Sequence, residues 1–207
     1  RPADGQQIFV HDMALLHAQG LPIDLSADLD ARLEDMLIAA WSGRAENDGY
    51  NALVLAAGLD RRDVAVLRAI GHYLRQIRLP YPQDLVWGAL RRHPTITTDL
   101  VALFHARFDP EASGDRDAAE MEIAERIGLA LGEVASLDDD TVLRRFAEVI
   151  RAMVRTDFFR PEADGRPRDT LAFKLAPEKL GRLPEPRPHR EIWVCGPTVE
   201  GVHLRFG

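Results

Sequence analysis

The chain has 207 residues, 46% of them hydrophobic and 29% charged, with a formal charge of −7. That is enough for one large domain or two small ones with a real core, and the composition is that of an ordinary soluble globular protein. The acidic balance argues against a nucleic-acid surface, and no run approaches the eighteen apolar residues a membrane span needs. One cysteine, Cys195, excludes an internal disulfide framework and suits a reducing compartment. With no charged-then-apolar leader pattern at the start, a cytoplasmic protein is the expectation.

Along the chain, Ile8, Phe9 and Val10 read as a short strand without a neighbouring partner. Asp24 and Ser26 are capping residues ahead of Leu29, Leu33, Met36/Leu37, Ala40 and Trp41, an amphipathic helix that Gly43 ends. Asp48 to Leu79 reads as two helices joined by a two-residue corner. Gly58 stops the first, because glycine accepts the left-handed backbone after a helix C-terminus. Asp60 caps the second, with Asp63 at its first turn. Val64, Leu67, Ile70/Gly71, Leu74 and Ile77 form one apolar stripe, which leaves Arg68, Arg75 and Arg78 mostly off it. Pro80 and Pro82 end that helix.

Pro82 fits the first position of the next helix, which carries Leu85, Val86, Ala89 and Leu90; Pro94 breaks it, and another spans Thr95 to Phe108. Glu111 to Asp117 is a polar, glycine-containing joint. Two helices then flank Asp138, Ala118 to Leu137 and Thr141 to Phe158, with the spacing of an antiparallel hairpin. Beyond Asp157 the character changes. Asp164-Gly165 is a turn, Leu171, Phe173 and Leu175 alternate as a strand buried on one face, and a proline-rich passage leads to two strands around Gly196-Pro197. The expectation is an α+β fold, a predominantly α-helical body with a small C-terminal β-sheet. Its divisions would be 1–23, a trailing strand or linker; 24–160, the helical domain; and 161–207, a β-rich segment.

Chemistry is sparse. No glycine-rich dinucleotide loop and no phosphate-binding Gly-Lys-Ser/Thr occurs. The seven histidines (His11, His17, His72, His93, His105, His189, His203) are scattered, with no metal-ligand spacing on one helix face, so no metal is expected. Cys195 sits in an apolar strand and reads as a buried thiol rather than a nucleophile. Asp138-Asp139-Asp140 reads as complement to a helix dipole rather than a cation site, and Trp41, Trp87 and Trp193 as core or interface anchors. No catalytic residue is assigned.

Four stretches resemble one family. Asn47 to Leu59 (NDGYNALVLAAGL), with Val66 to Ala69 and Tyr73 to Gln76, resembles the pattern NDGFNRLVLAAGL…VLRAYAKYLRQ of the large bacterial NAD-specific glutamate dehydrogenases. Ala106 to Pro110, Leu171 to Leu175 and Gly196 to Arg205 follow in the family's order, so the resemblance runs from Asn47 to the end. It implies a segment joining an upstream regulatory-type domain, whose trailing strand residues 1–23 would be, to the first strands of a catalytic domain. The alternative for that first strand is pairing with the C-terminal sheet. The parent would oxidise L-glutamate to 2-oxoglutarate and ammonia with NAD as hydride acceptor, as a homo-oligomer whose other partner is the rest of the same polypeptide. The family's catalytic lysine and aspartate match no position here, so the segment would serve as scaffold and be inactive alone. By the resemblance, His203 and Arg205 lie on the substrate or subunit side of the last strand. Alternation alone would put them on the solvent face, with Val202 and Leu204 buried. Residues 111–137 match nothing in the pattern. The contrasting reading is a stand-alone helical protein-interaction or regulatory module.

Overall fold

Ser26 opens the described body by accepting from the Leu29 amide, the cap its residue type favours. In the computed structural model the described residues are 26–207 apart from 182, preceded by 10, 12 and 23. The strand expected over Ile8–Val10 and the Asp24 cap fall outside them. Helices α1 (Ala27–Trp41), α2 (Leu53–Ala56), α3 (Arg61–Gln76), α4 (Gln83–Arg92), α5 (Pro94–Phe108), α6 (Arg116–Gly132) and α7 (Leu137–Ala152) precede a sheet of β1 (Met153–Thr156), β2 (Leu171–Leu175), β3 (Arg190–Gly196) and β4 (Val199–Arg205). The fold is α+β, as the patterning predicts.

The sheet is an antiparallel meander in the order β1-β2-β3-β4. Its inner face carries Leu171, Phe173 and Leu175 of β2 and Trp193 and Cys195 of β3, all buried. This face joins the helices in one continuous core that includes Leu67, Ile70, Phe104, Phe146 and Val149. Each fully buried Leu, Ile or Phe contributes about 1.5–3 kcal/mol relative to exposure, so the sheet and helices stabilise each other across this layer. No helix among the described residues is long and apolar enough to cross a membrane.

Several elements depart from their expected form. Between Asp48 and Gly58 the chain makes a 3-10 turn, Gly49–Ala52, that runs into the one-turn α2. The Asp48 side chain accepts from the Tyr50 amide, and Gly58 turns the chain at φ +63°. Those two punctuation points leave no room for a longer helix. Helix α3 is buried on every side from Val66 to Leu74, because β3, α4, α5 and α7 all pack on it, and Arg68 is therefore inside. Pro82 is the N-cap of α4 rather than its first residue, and Pro94 opens α5 directly.

Helix α6 stops at Gly132, five residues short of Leu137, and packs chiefly against α5 rather than forming a hairpin with α7. Helix α7 is capped by Ser136 and ends at Ala152, six residues before Phe158. From Met153 the backbone turns extended, and Thr156 pairs with Phe173 of β2. Cross-strand pairing to β2, absent from any local pattern, overrides the helical periodicity there.

Candidate functional site

The Asn-Asp-Gly-Tyr-Asn stretch builds a corner held by the side chains of Asp48, Tyr50 and Asn51. Asp48 grips Arg68 with both oxygens, at 2.8 Å from Nε and 2.9 Å from Nη2. Arg68, only 4% exposed, also donates to the Asn51 side chain, whose amide nitrogen donates to the Glu46 carbonyl at 2.9 Å. A buried guanidinium is tolerable when paired and hydrogen-bonded this completely. Tyr50 is fully buried and donates from its hydroxyl to Gln83 Oε1 at 3.0 Å. Burial of its ring, with Asp48 nearby, pushes the phenol far above its ordinary range. Gly49 is required by packing, since a Cβ there would stand 2.3 Å from the Trp87 indole. The stretch is therefore a folding device that carries Glu46 to the seam between α3 and the sheet.

At that seam four groups converge, from the loop before the 3-10 turn, from α3, from β3 and from β4. His72 of α3 places Nδ1 2.9 Å from Glu200 Oε2 of β4 and 3.7 Å from Cys195 Sγ of β3, and its Nε2 lies 3.7 Å from Glu46 Oε2. Arg75 holds both Glu200 oxygens at 2.8 Å. Ligand atoms of Glu46, His72 and Cys195 lie within 4.8 Å of one another. His72 and Cys195 are buried, at 7% and 4% exposure. Burial, reinforced by Glu46 and Glu200, pushes the Cys195 thiol up to about 12, so it is a protonated thiol as the apolar strand predicts. Local spacing gave no hint of this cluster, because its members are 26 and 123 positions apart. The sequence pointed only to parts of it, Cys195 as a buried thiol and Glu200 within the Gly196 to Arg205 stretch.

Beside the seam runs an arginine-lined cleft of about 350 Å³, bounded by Arg44, Arg61, Arg166, Glu162 and Asp169. Arg61 spans it, bonded to Asp35 and Asp169 at 3.0 Å each. Its cations are thus largely committed to internal pairs.

His203 and Arg205 are exposed on β4, opposite Ile192 and Arg190 of β3. Directly paired residues share a face, so His203 joins Ile192 on the outer face of the sheet. Val202, Leu204 and Phe206 turn instead toward Tyr73 of α3 and its C-cap Ile77 and line a groove. Val202 is half-buried, while Leu204 stays 44% exposed because β4 is an outer strand of the described sheet. His203 and Arg205 are apart from the Glu46–His72–Cys195–Glu200 cluster. Among the tryptophans, Trp193 is wholly buried, Trp87 packs edge-on to Tyr50, and Trp41 is 80% exposed.

Comparison with known proteins divides this chain after α5, so that α7 goes with the sheet. Residues 45–110 match helical motif 3 of glutamate dehydrogenase, which sets the class. Residues 126–207 match the catalytic domain of bacterial NAD-glutamate dehydrogenase, and the chain belongs to that family. It is 43% identical over 206 residues to the NAD-specific glutamate dehydrogenase of Halomonas elongata, covering 99% of this chain and 13% of that protein. The Pseudomonas aeruginosa NAD-specific glutamate dehydrogenase is 40% identical over 210 residues, 100% of this chain and 13% of that protein. The one from Mycobacterium tuberculosis is 43% identical over 180 residues, 85% of this chain and 11% of that protein. The chain thus spans only about an eighth of the length of these relatives. The stretch 111–137, for which the quoted pattern offers no counterpart, overlaps the catalytic-domain match from residue 126 onward.

Proposed function

We propose that this chain is the junction of an NAD-dependent glutamate dehydrogenase, the part that seats the catalytic domain on the helical region. The parent reaction is the oxidation of L-glutamate with NAD and water to 2-oxoglutarate, ammonia and NADH, in the cytoplasm and as a homo-oligomer. The chain supplies packing and spacing. NAD would bind elsewhere in the polypeptide, since these residues hold no glycine-rich loop for its pyrophosphate. We assign no catalytic or cofactor residue here. His203 and Arg205 face outward, where a substrate-side or subunit contact would form.

One observation carries this reading. The segment matching the helical motif and the segment matching the catalytic domain share one hydrophobic core, with α3 of the first packed against β3 of the second. The test compares glutamate-dependent NADH formation by the full polypeptide and by residues 1–207. Activity in the whole and none in the piece is the expected result. A folded, full-length protein inactive with glutamate and NAD would sink the assignment, and activity in the piece would sink the scaffold role.

A further inference from the structure

We propose that Glu46, His72 and Cys195, completed by Glu200, form a binding site for a divalent cation of the zinc class. The groups are a thiol, an imidazole and two carboxylates, the ligand types zinc takes in four-coordinate sites. Bonds of about 2.0–2.3 Å to such an ion put neighbouring ligand atoms about 3.3–3.7 Å apart. The Cys195 Sγ to His72 Nδ1 distance of 3.7 Å already has that value. Glu200 Oε2, at 2.9 Å from the same nitrogen, needs to retreat by only a few tenths of an ångström. Glu46 has to swing from the Nε2 side of the ring, and its carboxylate, half-buried at 29% side-chain exposure, has room to do so.

The donor set also selects against other ions. Magnesium and calcium want six or more oxygens, which two carboxylates beside a buried thiol do not offer. On binding, the Cys195 proton leaves to solvent and the thiolate takes its place as ligand. Arg75, which holds both Glu200 oxygens, offsets part of the remaining negative charge of three anionic ligands around a dication.

The location gives the site a purpose. Glu46 and His72 lie in the helical-motif match, and Cys195 and Glu200 lie in the catalytic-domain match. An ion here pins the two together at the point where α3 meets β3 and β4.

The test is cobalt(II) titration of the metal-free, full-length protein, read by its absorption spectrum, alongside the zinc content of protein purified without chelator. A thiolate-to-cobalt charge-transfer band with intense tetrahedral visible bands is expected. C195S should abolish the charge-transfer band and lower the bound zinc by one ion per chain, and H72Q should weaken cobalt binding by about tenfold or more. E46Q, a near-isosteric change at a half-buried position, serves where either of those variants fails to fold, and should weaken binding similarly. Wild-type protein without the charge-transfer band, or variants that keep the wild-type spectrum and zinc content, would overturn the site.

Discussion

The indole Nε1 of Trp193 donates a 2.9 Å hydrogen bond to the carbonyl of Ala69, in the middle of helix α3. Trp193 belongs to the sheet and is fully buried; Ala69 sits on a helix whose own ladder already uses that carbonyl. The bond and the tilted contact between Trp193 and Tyr73, with centroids 5.8 Å apart, tie the two layers together. Nearby, the Tyr73 hydroxyl donates to the buried Glu191 carboxylate, which gives β3 a second polar anchor on the same helix.

Because these anchors bridge the two layers, helices and sheet should unfold as one unit. Trp193→Phe removes the donor and part of the ring and should destabilise by about 1–3 kcal/mol, whereas Trp193→Ala should cost about 3–5 kcal/mol. Urea unfolding followed by far-ultraviolet circular dichroism and by tryptophan fluorescence should give coincident single transitions. Two separated transitions would mean that the sheet folds independently of α3.

Tyr50 and Gly71 form a matched pair. A Cβ on Gly71 would lie 1.8 Å from the Tyr50 hydroxyl and 2.8 Å from the ring carbon bearing it. Gly71→Ala alone should therefore cost more than about 2 kcal/mol by overpacking, despite alanine's better helix propensity. Tyr50→Phe alone should cost about 1 kcal/mol or somewhat more, since the hydroxyl's bond to Gln83 is lost. The double variant should be more stable than the sum predicts by at least about 1 kcal/mol. Simple additivity in that double-mutant cycle would show that the contact relaxes elsewhere.

Arg92 and His93 close on Asp139 at 2.6–3.1 Å, locking the α4–α5 corner to the first turn of α7. The Arg92 guanidinium holds the Asp139 carboxyl below the usual carboxylate range, with His93 adding to it. A depressed folded-state pKa stabilises above the unfolded value near 3.9 and is lost as pH falls through the folded value. Asp139→Asn should therefore lower the unfolding free energy at neutral pH by about 1–2 kcal/mol, moderated because Arg92 is half exposed. Its deficit should shrink below about pH 4. A deficit that persists unchanged in acid would point to helix capping rather than charge.

The helix starts were legible because their signals are local: Ser26 and Asp60 each accept from an amide three residues on, and Pro94 takes the first helical position with its φ already set. The alternation in Leu171–Leu175 was legible for the same reason. What escaped was set by partners distant in the chain. Met153–Thr156 is a strand only because β2 lies beside it, and Arg68 is buried only because Asp48 waits for it twenty residues earlier. Of the candidate site, the sequence exposed Cys195 as buried and Glu200 as part of a family motif. Their meeting with His72 and Glu46 depends on the docking of sheet on helix, which no periodicity encodes.

His105 offers a charge-linked effect of opposite sign to that of Asp139. Its Nε2 lies 2.7 Å from Asp63 Oδ1, and that hydrogen bond, opposed by burial and aided by Asp109 and Asp60, raises the imidazole above its ordinary value. Phe104, Phe158 and Phe159 pack against the ring from the other sides, and Arg62 borders the same pocket. A raised folded-state pKa stabilises fully below the unfolded value near 6.5 and ceases to do so as pH rises through the folded value. The unfolding free energy should thus fall as pH rises from the unfolded value through the folded one, and His105→Gln should flatten that part of the profile. Asp63→Asn should go further, since burial then acts with less opposition and the imidazole pKa should drop toward or below 6.5. Histidine-resolved NMR titration of the wild type and Asp63→Asn gives the comparison directly. An unchanged His105 midpoint in the variant would mean that the ion pair does not form in solution.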